Sequence, residues 1–312
     1  MRFPFLSKKK PPVSRLRDAA EAFEESTRRR RISAQRLNAY RLALSNFAAW
    51  AGRNRRMDDI RPEEADAYAA RIPHYLAAAT YNDKISALRT AWATLMPEMP
   101  NPWRGIQRRP GDSRPREPIS REEIESVVAE AAHHGRNGGE LAMLIHLGAW
   151  TGLRLGDAVR LRWEAIGERT ISVRTRKTGA SVAIPILKPL REALDEWRKK
   201  SVAGETGDVF PRLHAAVERN HGHTANVAQK VCLCMRRRGL ETSYKHEHSA
   251  RRRPLRGYHS LRHTYVTALL EAGIPVDIVA AIVGHAAAKM TAHYTHARDE
   301  YVREQLGKAG LL

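Results

Sequence analysis

The stretch from His259 to Ala297, HSLRHTYVTALLEAGIPVDIVAAIVGHAAAKMTAHYTHA, limits the possible folds of this chain more than any other. Its apolar residues Leu261, Val266, Leu269 and Leu270 keep helical spacing up to Gly273, a helix-terminating glycine. A second, shorter helix is predicted from Val276 to Val283, with Gly284 as its stop. His285 follows that stop directly, and Tyr294 comes nine residues later, flanked by His293 and His296. His259 and Arg262 stand three apart, which puts them on one helical face. Two helix ends therefore gather a guanidinium, two imidazoles and a phenol, a set suited to phosphate chemistry.

The charge balance points the same way. The 312 residues carry 54 Lys and Arg against 34 Asp and Glu, a formal net charge of +20. Such an excess implies a polyanionic partner, because neutralising phosphates releases condensed counterions. Solubility, or attraction to an anionic membrane surface, are the plainer readings of charge alone. No run of about 18 apolar residues is present to span a bilayer. The opening MRFPFLSKKKPP has too short an apolar core for a signal peptide and reads as a basic tail over residues 1–12. The two cysteines, Cys232 and Cys234, are too close together for an ordinary structural bridge, which suits a reducing, cytoplasmic compartment. With His221 and His223 they offer H-x-H and C-x-C spacings, unlike common structural zinc patterns, so no metal is expected. Gly152-Leu153-Arg154-Leu155-Gly156 lacks the residues a phosphate-binding loop needs, and no cofactor is indicated.

In chain order, residues 13–105 read as four helices. Val13, Leu16, Ala20 and Phe23 mark the first; Ser33 caps a second that carries Leu37, Tyr40, Leu44 and Phe47 and ends at Gly52; Pro62-Glu63-Glu64 opens a third. Ile85, Leu88, Trp92 and Leu95 align on the fourth. Arg36, Arg41, Lys84 and Arg89 lie between these stripes, either as a solvated face or as a DNA-facing one. Asn101–Glu117 is rich in Pro and Arg without periodicity, and a linker is placed at 106–117. Ser120-Arg121-Glu122-Glu123 is a capping-box pattern that opens a second domain, 118–312.

In that domain an apolar helix over Leu141–Gly148 ends at Trp150-Thr151-Gly152, and a new helix is predicted to run through Val159 and Leu161 to Trp163. Arg154 and Asp157 stand three apart near its start, so the carboxylate can orient the guanidinium or form an ordinary surface pair. Ile171 and Val173 alternate against Val182, Ile184 and Ile186 as a hairpin, with Lys177 beside its turn as a solubilising or a functional charge. Pro189 opens an amphipathic helix with Leu190, Leu194 and Trp197, and residues 226–239 form another that ends in Arg236–Arg238. The fold class is mainly α with a small β-sheet.

The ordered set Arg154, Lys177, His259, Arg262, His285 and Tyr294 resembles the tyrosine recombinase, or phage integrase, family. The matching pieces are TGLRLGD, RKTG at the hairpin, HSLRHT, and VGH followed by AHYTHA. They span most of residues 118–297; residues 13–105 resemble the family's helical core-binding domain in general pattern only. The resemblance implies a core-binding domain followed by a mixed α/β-hairpin catalytic domain that clamp double-stranded DNA. It also implies roles. Tyr294 is the nucleophile that gives a 3′-phosphotyrosine, and Lys177 is the general acid for the 5′-oxygen. Arg154 and Arg262 clamp the phosphate, His259 and His285 assist, and Asp157 supports Arg154. No metal or other cofactor is needed.

A short segment before the first helix suits a simple two-domain, Xer-like or mobile-element enzyme. Such enzymes act as homotetramers or heterotetramers that exchange C-terminal helices, here Asp299–Leu312. Tyr265 is a rival phenol, better placed in the core. Two other readings stay open: a DNA-binding regulatory module without cleavage, and a type IB topoisomerase-like enzyme that nicks and reseals.

Overall fold

The computed structural model describes residues 15–30, 32–74, 76–111, 117–200, 206–245, 252–284, 303–304 and 306–310. The chain divides into two compact units, with the first boundary between Ser113 and Arg114.

The first unit holds helices α1 (Ala19–Thr27), α2 (Ala34–Ala51), α3 (Pro62–Arg71) and α4 (Ala78–Leu95). Local chemistry sets several ends. The Ser33 hydroxyl accepts from the Arg36 amide at 3.4 Å to start α2, and Gly52, at φ +103°, ends it. Pro62 occupies the first turn of α3, and the Glu64 carboxylate accepts from the Arg61 amide at 3.2 Å. Phe47 is the centre of the core. Its ring meets Tyr68 at 5.1 Å and Trp103 at 4.8 Å edge-on, a geometry that aromatic quadrupoles favour. The Pro- and Arg-rich stretch after α4 is tied into this unit as far as Arg109. Trp103 and Ile106 are buried, Asn82 exchanges two side-chain bonds of 2.9 Å with the Arg109 backbone, and the Arg109 guanidinium stacks 3.8 Å over Tyr81.

The second unit packs α6 (Gly138–Thr151) against α5 (Arg121–Ala132). The Ser120 hydroxyl accepts from the Glu123 amide at 3.2 Å, while the Glu123 carboxylate accepts from the Ser120 amide at 2.8 Å, completing the capping box of α5. Gly152, at φ +61°, turns the chain out of α6 into a single-turn helix, α7 (Leu155–Ala158).

The predicted continuation of this helix to Trp163 does not form. The Trp163 amide donates to Gly207 O and the Val209 amide to Leu161 O, both at 2.9 Å, so residues 161–163 pair laterally with 207–209 instead. The hairpin is present: β1 (Thr170–Arg174) runs antiparallel to β2 (Ser181–Pro185), with Ile171 opposite Ile184 and Val173 opposite Val182. Helices α8 (Lys188–Lys200), α9 (Pro211–Arg219) and α10 (Ala225–Arg237) follow, then a short ribbon of β3 (Ser243–Lys245) and β4 (Arg252–Pro254). Helices α11 (Tyr258–Glu271) and α12 (Val276–Val283) complete the core, with α11 against α6 and α12 against β2. Cys234 of α10 is buried and Cys232 is half-buried. Near the C-terminus Leu306 is buried in the core of this same unit. Tyr301, Leu311 and Leu312 of the same terminal segment lie outside the described residues.

Gly152 is fixed by two independent constraints. Its backbone is left-handed, and a Cβ there would lie 2.8 Å from Cδ1 of Tyr265. Gly152→Ala is therefore expected to lower stability by about 1–3 kcal/mol, from the φ penalty and the displaced ring. Chemical denaturation with Tyr265 side-chain packing followed in parallel checks this, and an unchanged midpoint contradicts it.

Candidate active site

The site is built where the break after α6 meets α11 and the end of α12. Arg262 projects from α11 into this junction and is 4% exposed. Burial of a guanidinium is costly unless its donors are met. Here Nη1 donates to Gly152 O at 2.8 Å and Nη2 to Val283 O at 2.7 Å. Those acceptors are the carbonyl of the left-handed turn and one at the C-terminal end of α12, where helix carbonyls lack partners and favour cations. Burial first, and the neighbouring Arg154 second, push the Arg262 guanidinium down to about 10, with Asp157 opposing. It remains a cation at neutral pH.

Arg154 sits at the N-cap of α7 in extended conformation, half-buried. Its Nη2 donates to Gly284 O at 3.4 Å, while Nη1 is buried without a hydrogen-bond partner among the described residues. The two guanidiniums thus converge on the C-terminal carbonyls of α12 and repel each other. An anion shared between them relieves that repulsion. Gly284 takes φ +66°, and a Cβ there would lie 2.9 Å from Cγ1 of Val182, so the turn end of the hairpin closes on the residue just before His285.

The Asp157 carboxylate is buried and accepts from the Arg176 amide at 2.9 Å. Among the described residues this bond, rather than one to Arg154, is its hydrogen bond. It holds the hairpin turn next to Lys177. Within that turn the Gly179 amide donates to Thr175 O at 2.8 Å, and the Thr175 and Thr178 hydroxyls lie 2.7 Å apart. Lys177 itself is exposed at the tip. His259 is exposed on the first turn of α11, with the His263 ring edge-on at 5.1 Å. A groove of about 690 Å³ adjoins it, lined by Leu155, Gln229, Arg236, Arg252, Arg256 and His259 among others. His285, His293, Tyr294 and His296 lie outside the described residues.

The rival phenol Tyr265 is buried, its hydroxyl enclosed, and burial pushes it far above the ordinary tyrosine range. A core role follows, and a nucleophilic one does not. Sequence reasoning gave no role to Gly148, where a Cβ would lie 2.7 Å from the Tyr258 hydroxyl. That glycine lets α11 approach α6 closely enough for Arg262 to reach Gly152. A glycine inside an otherwise apolar helical run was the available signal.

Comparison with known proteins identifies the family. Residues 117–301 match the model of the phage integrase family. Tyrosine recombinase XerC of Rhodospirillum centenum is 27% identical over 308 residues, covering 91% of this chain and 85% of that protein. Tyrosine recombinase XerA of Pyrococcus furiosus is 26% identical over 196 residues, and the chain spans about three-fifths of its length, 62%. Among solved structures, a lambda integrase (75–356) dimer bound to a COC′ core site superposes with a TM-score of 0.67 at 20% identity, covering 89% of this chain and 97% of that one. A lambda integrase tetramer bound to a Holliday junction gives the same TM-score over 92% and 84%. These likenesses support the fold. With the family model matched over more than half of its length, the chain belongs to the phage integrase family, the tyrosine recombinases.

Proposed function

We propose that this protein is a site-specific DNA recombinase that cuts and rejoins double-stranded DNA through a 3′-phosphotyrosine. The observation that carries this reading is the pair of converging guanidiniums, with Arg154 Nη1 buried and unpaired among the described residues beside Arg262, whose Nη1 and Nη2 are each anchored to one backbone carbonyl. A phosphodiester oxygen is the acceptor that such an N–H lacks.

The chemistry balances without any external energy source. The Tyr294 oxygen attacks the scissile phosphorus as its proton passes to water, with His259 or His285 assisting the transfer; the bond to the 5′-oxygen breaks, and Lys177 protonates that leaving oxygen. Negative charge grows on the non-bridging oxygens, where Arg154 and Arg262 stabilise it, with His259 and His285 as hydrogen-bond donors to the same group. The phosphotyrosine keeps the energy of the broken bond, so a 5′-hydroxyl of another strand reverses the step and rejoins the DNA. Asp157 acts on the general acid, through the Arg176 amide, by fixing the turn that carries Lys177. The net charge of +20 supplies the long-range attraction for DNA. The family relationship supports assembly as a tetramer on the recombination site, in the cytoplasm at the nucleoid. None of the described helices is long and apolar enough to cross a membrane.

The test is covalent trapping on nicked suicide duplexes taken from DNA flanking the gene, with SDS denaturation and mapping of the linked peptide. The adduct is expected on Tyr294. Tyr294→Phe is expected to bind DNA with unchanged affinity and form no adduct; an adduct that persists assigns the nucleophile elsewhere. Arg154→Ala is expected to slow adduct formation by about 10²–10³ with little change in binding, as for a lost transition-state donor. An equal loss in both removes its role in the chemical step. Asp157→Ala is expected to slow cleavage about tenfold, and Asp157→Asn, which keeps an acceptor oxygen, less. If a duplex with a 5′-phosphorothiolate leaving group, which needs no protonation, does not rescue Asp157→Ala, the link to Lys177 is wrong.

A further inference from the structure

Arg160 follows α7 by two residues and is nearly buried, its side chain 11% exposed. Nε and Nη2 reach one carboxylate oxygen of Glu218 on α9 at 3.2 and 2.9 Å. The other contacts go to backbone: Nη1 donates to Gly156 O at 3.0 Å and Nη2 to Gly222 O at 3.2 Å. The Glu218 partner is itself 57% exposed, so an exposed ion pair alone would be worth little. The two carbonyl bonds distinguish this guanidinium from a surface charge.

Gly156 is the second residue of α7, a helix of four residues with Arg154 at its N-cap. One turn has too few hydrogen bonds to hold its own conformation, so tertiary contacts must hold it. The Asp157 carboxylate fastens it to the hairpin. Arg160 fastens it to α9 and the turn that follows. The anchor continues outward: Glu218 lies 3.5 Å from Nε2 of His214, whose Nδ1 is 2.8 Å from Asp208. The Arg160 guanidinium holds the Glu218 carboxyl below the usual carboxylate range. The Asp208 segment is in turn bridged to Arg162, so the chain leaving α7 is tied back to the structure that anchors it.

We infer that Arg160 is a positioning residue for Arg154: its bond to Gly156 O sets the angle of α7 and so keeps the Arg154 fork on the scissile phosphate. This rests on the assignment of Arg154 as a phosphate clamp. Arg160 touches no DNA in this role, and its effect passes through Arg154 alone. A displacement of about 1 Å at such a clamp can cost on the order of 10²-fold in rate.

The experiment is a double-mutant cycle on the full chain. Single-turnover adduct formation on the suicide duplex and DNA affinity are measured for wild type, Arg160→Ala, Arg154→Ala and the double variant, with melting temperatures. Arg160→Ala is expected to slow adduct formation by about 10–100-fold, with Kd within about threefold. In the Arg154→Ala background the same substitution is expected to cost less than about twofold, because the group it positions is gone. Full additivity with a normal Arg154→Ala defect overturns the inference and leaves Arg154 as a clamp. Equal losses of affinity and rate in Arg160→Ala overturn it in favour of direct DNA contact, and a wild-type rate overturns it outright. Arg154→Ala that cleaves normally overturns both assignments. If Arg160→Ala does not fold, Arg160→Lys is used in the same cycle. Its single ammonium cannot span all three acceptors, so a smaller loss with the same non-additivity supports the inference and additivity rejects it.

Discussion

The buried Arg262 guanidinium is the interaction on which this catalytic unit depends. It joins three parts of the chain that are far apart in sequence: the turn after α6, helix α11, and the end of α12. Its two donors meet carbonyls that helix geometry leaves unsatisfied, so the charge is solvated by protein at fixed positions. The same bonds that hold the fold fix this cation beside Arg154, which suits the phosphate-binding role proposed for the pair. In that proposed role, fold stability and preorganised electrostatics are a single arrangement, with no reorganisation needed when charge develops on a phosphate.

Small residues make that arrangement geometrically possible. Gly148 admits the Tyr258 ring, Gly152 turns left-handed against Tyr265, and Gly284 closes on Val182 and Thr175. Each removes a side chain at a point where a neighbouring side chain packs directly on the backbone. Around them the functional turns are individually weak: α7 is one turn, and the hairpin tip is a tight, exposed loop. Both gain order from charged side chains that bond backbone, Asp157 to the Arg176 amide and Arg160 to the Gly156 carbonyl. The acid within α7 and the cation two residues after it act as two fasteners of one element.

Much of the helical framework was legible in the residues. Ser33, Gly52, Pro62 and the Ser120–Glu123 box act over three or four residues, and local hydrogen bonds decided those ends in the folded chain as well. The hairpin was legible because its buried arm residues alternate. The run from Val159 to Trp163 was misread because its helical spacing competes with a partner more than forty residues away, the 207–209 segment, which local pattern does not reveal. Spacing left Asp157 either as an orienter of Arg154 or as a surface pair, and the family resemblance implied support of Arg154; its carboxylate is buried and its bond goes to the hairpin, a partner set by tertiary packing.

The sequence by itself determined the inventory of the proposed site and its order along the chain. The boxes around Arg154, Lys177 and His259–Arg262, with His285 and Tyr294 beyond them, carry chemistry whose residue types are specific, and the glycines mark where the helices stop. Only the tertiary structure decided how those cations are held. Which carbonyls Arg262 bonds, which amide Asp157 receives and which carboxylate on α9 Arg160 reaches depend on contacts across 19 to 110 residues. Such contacts follow from close packing of helices whose sequence patterns specify a buried face but not its neighbour.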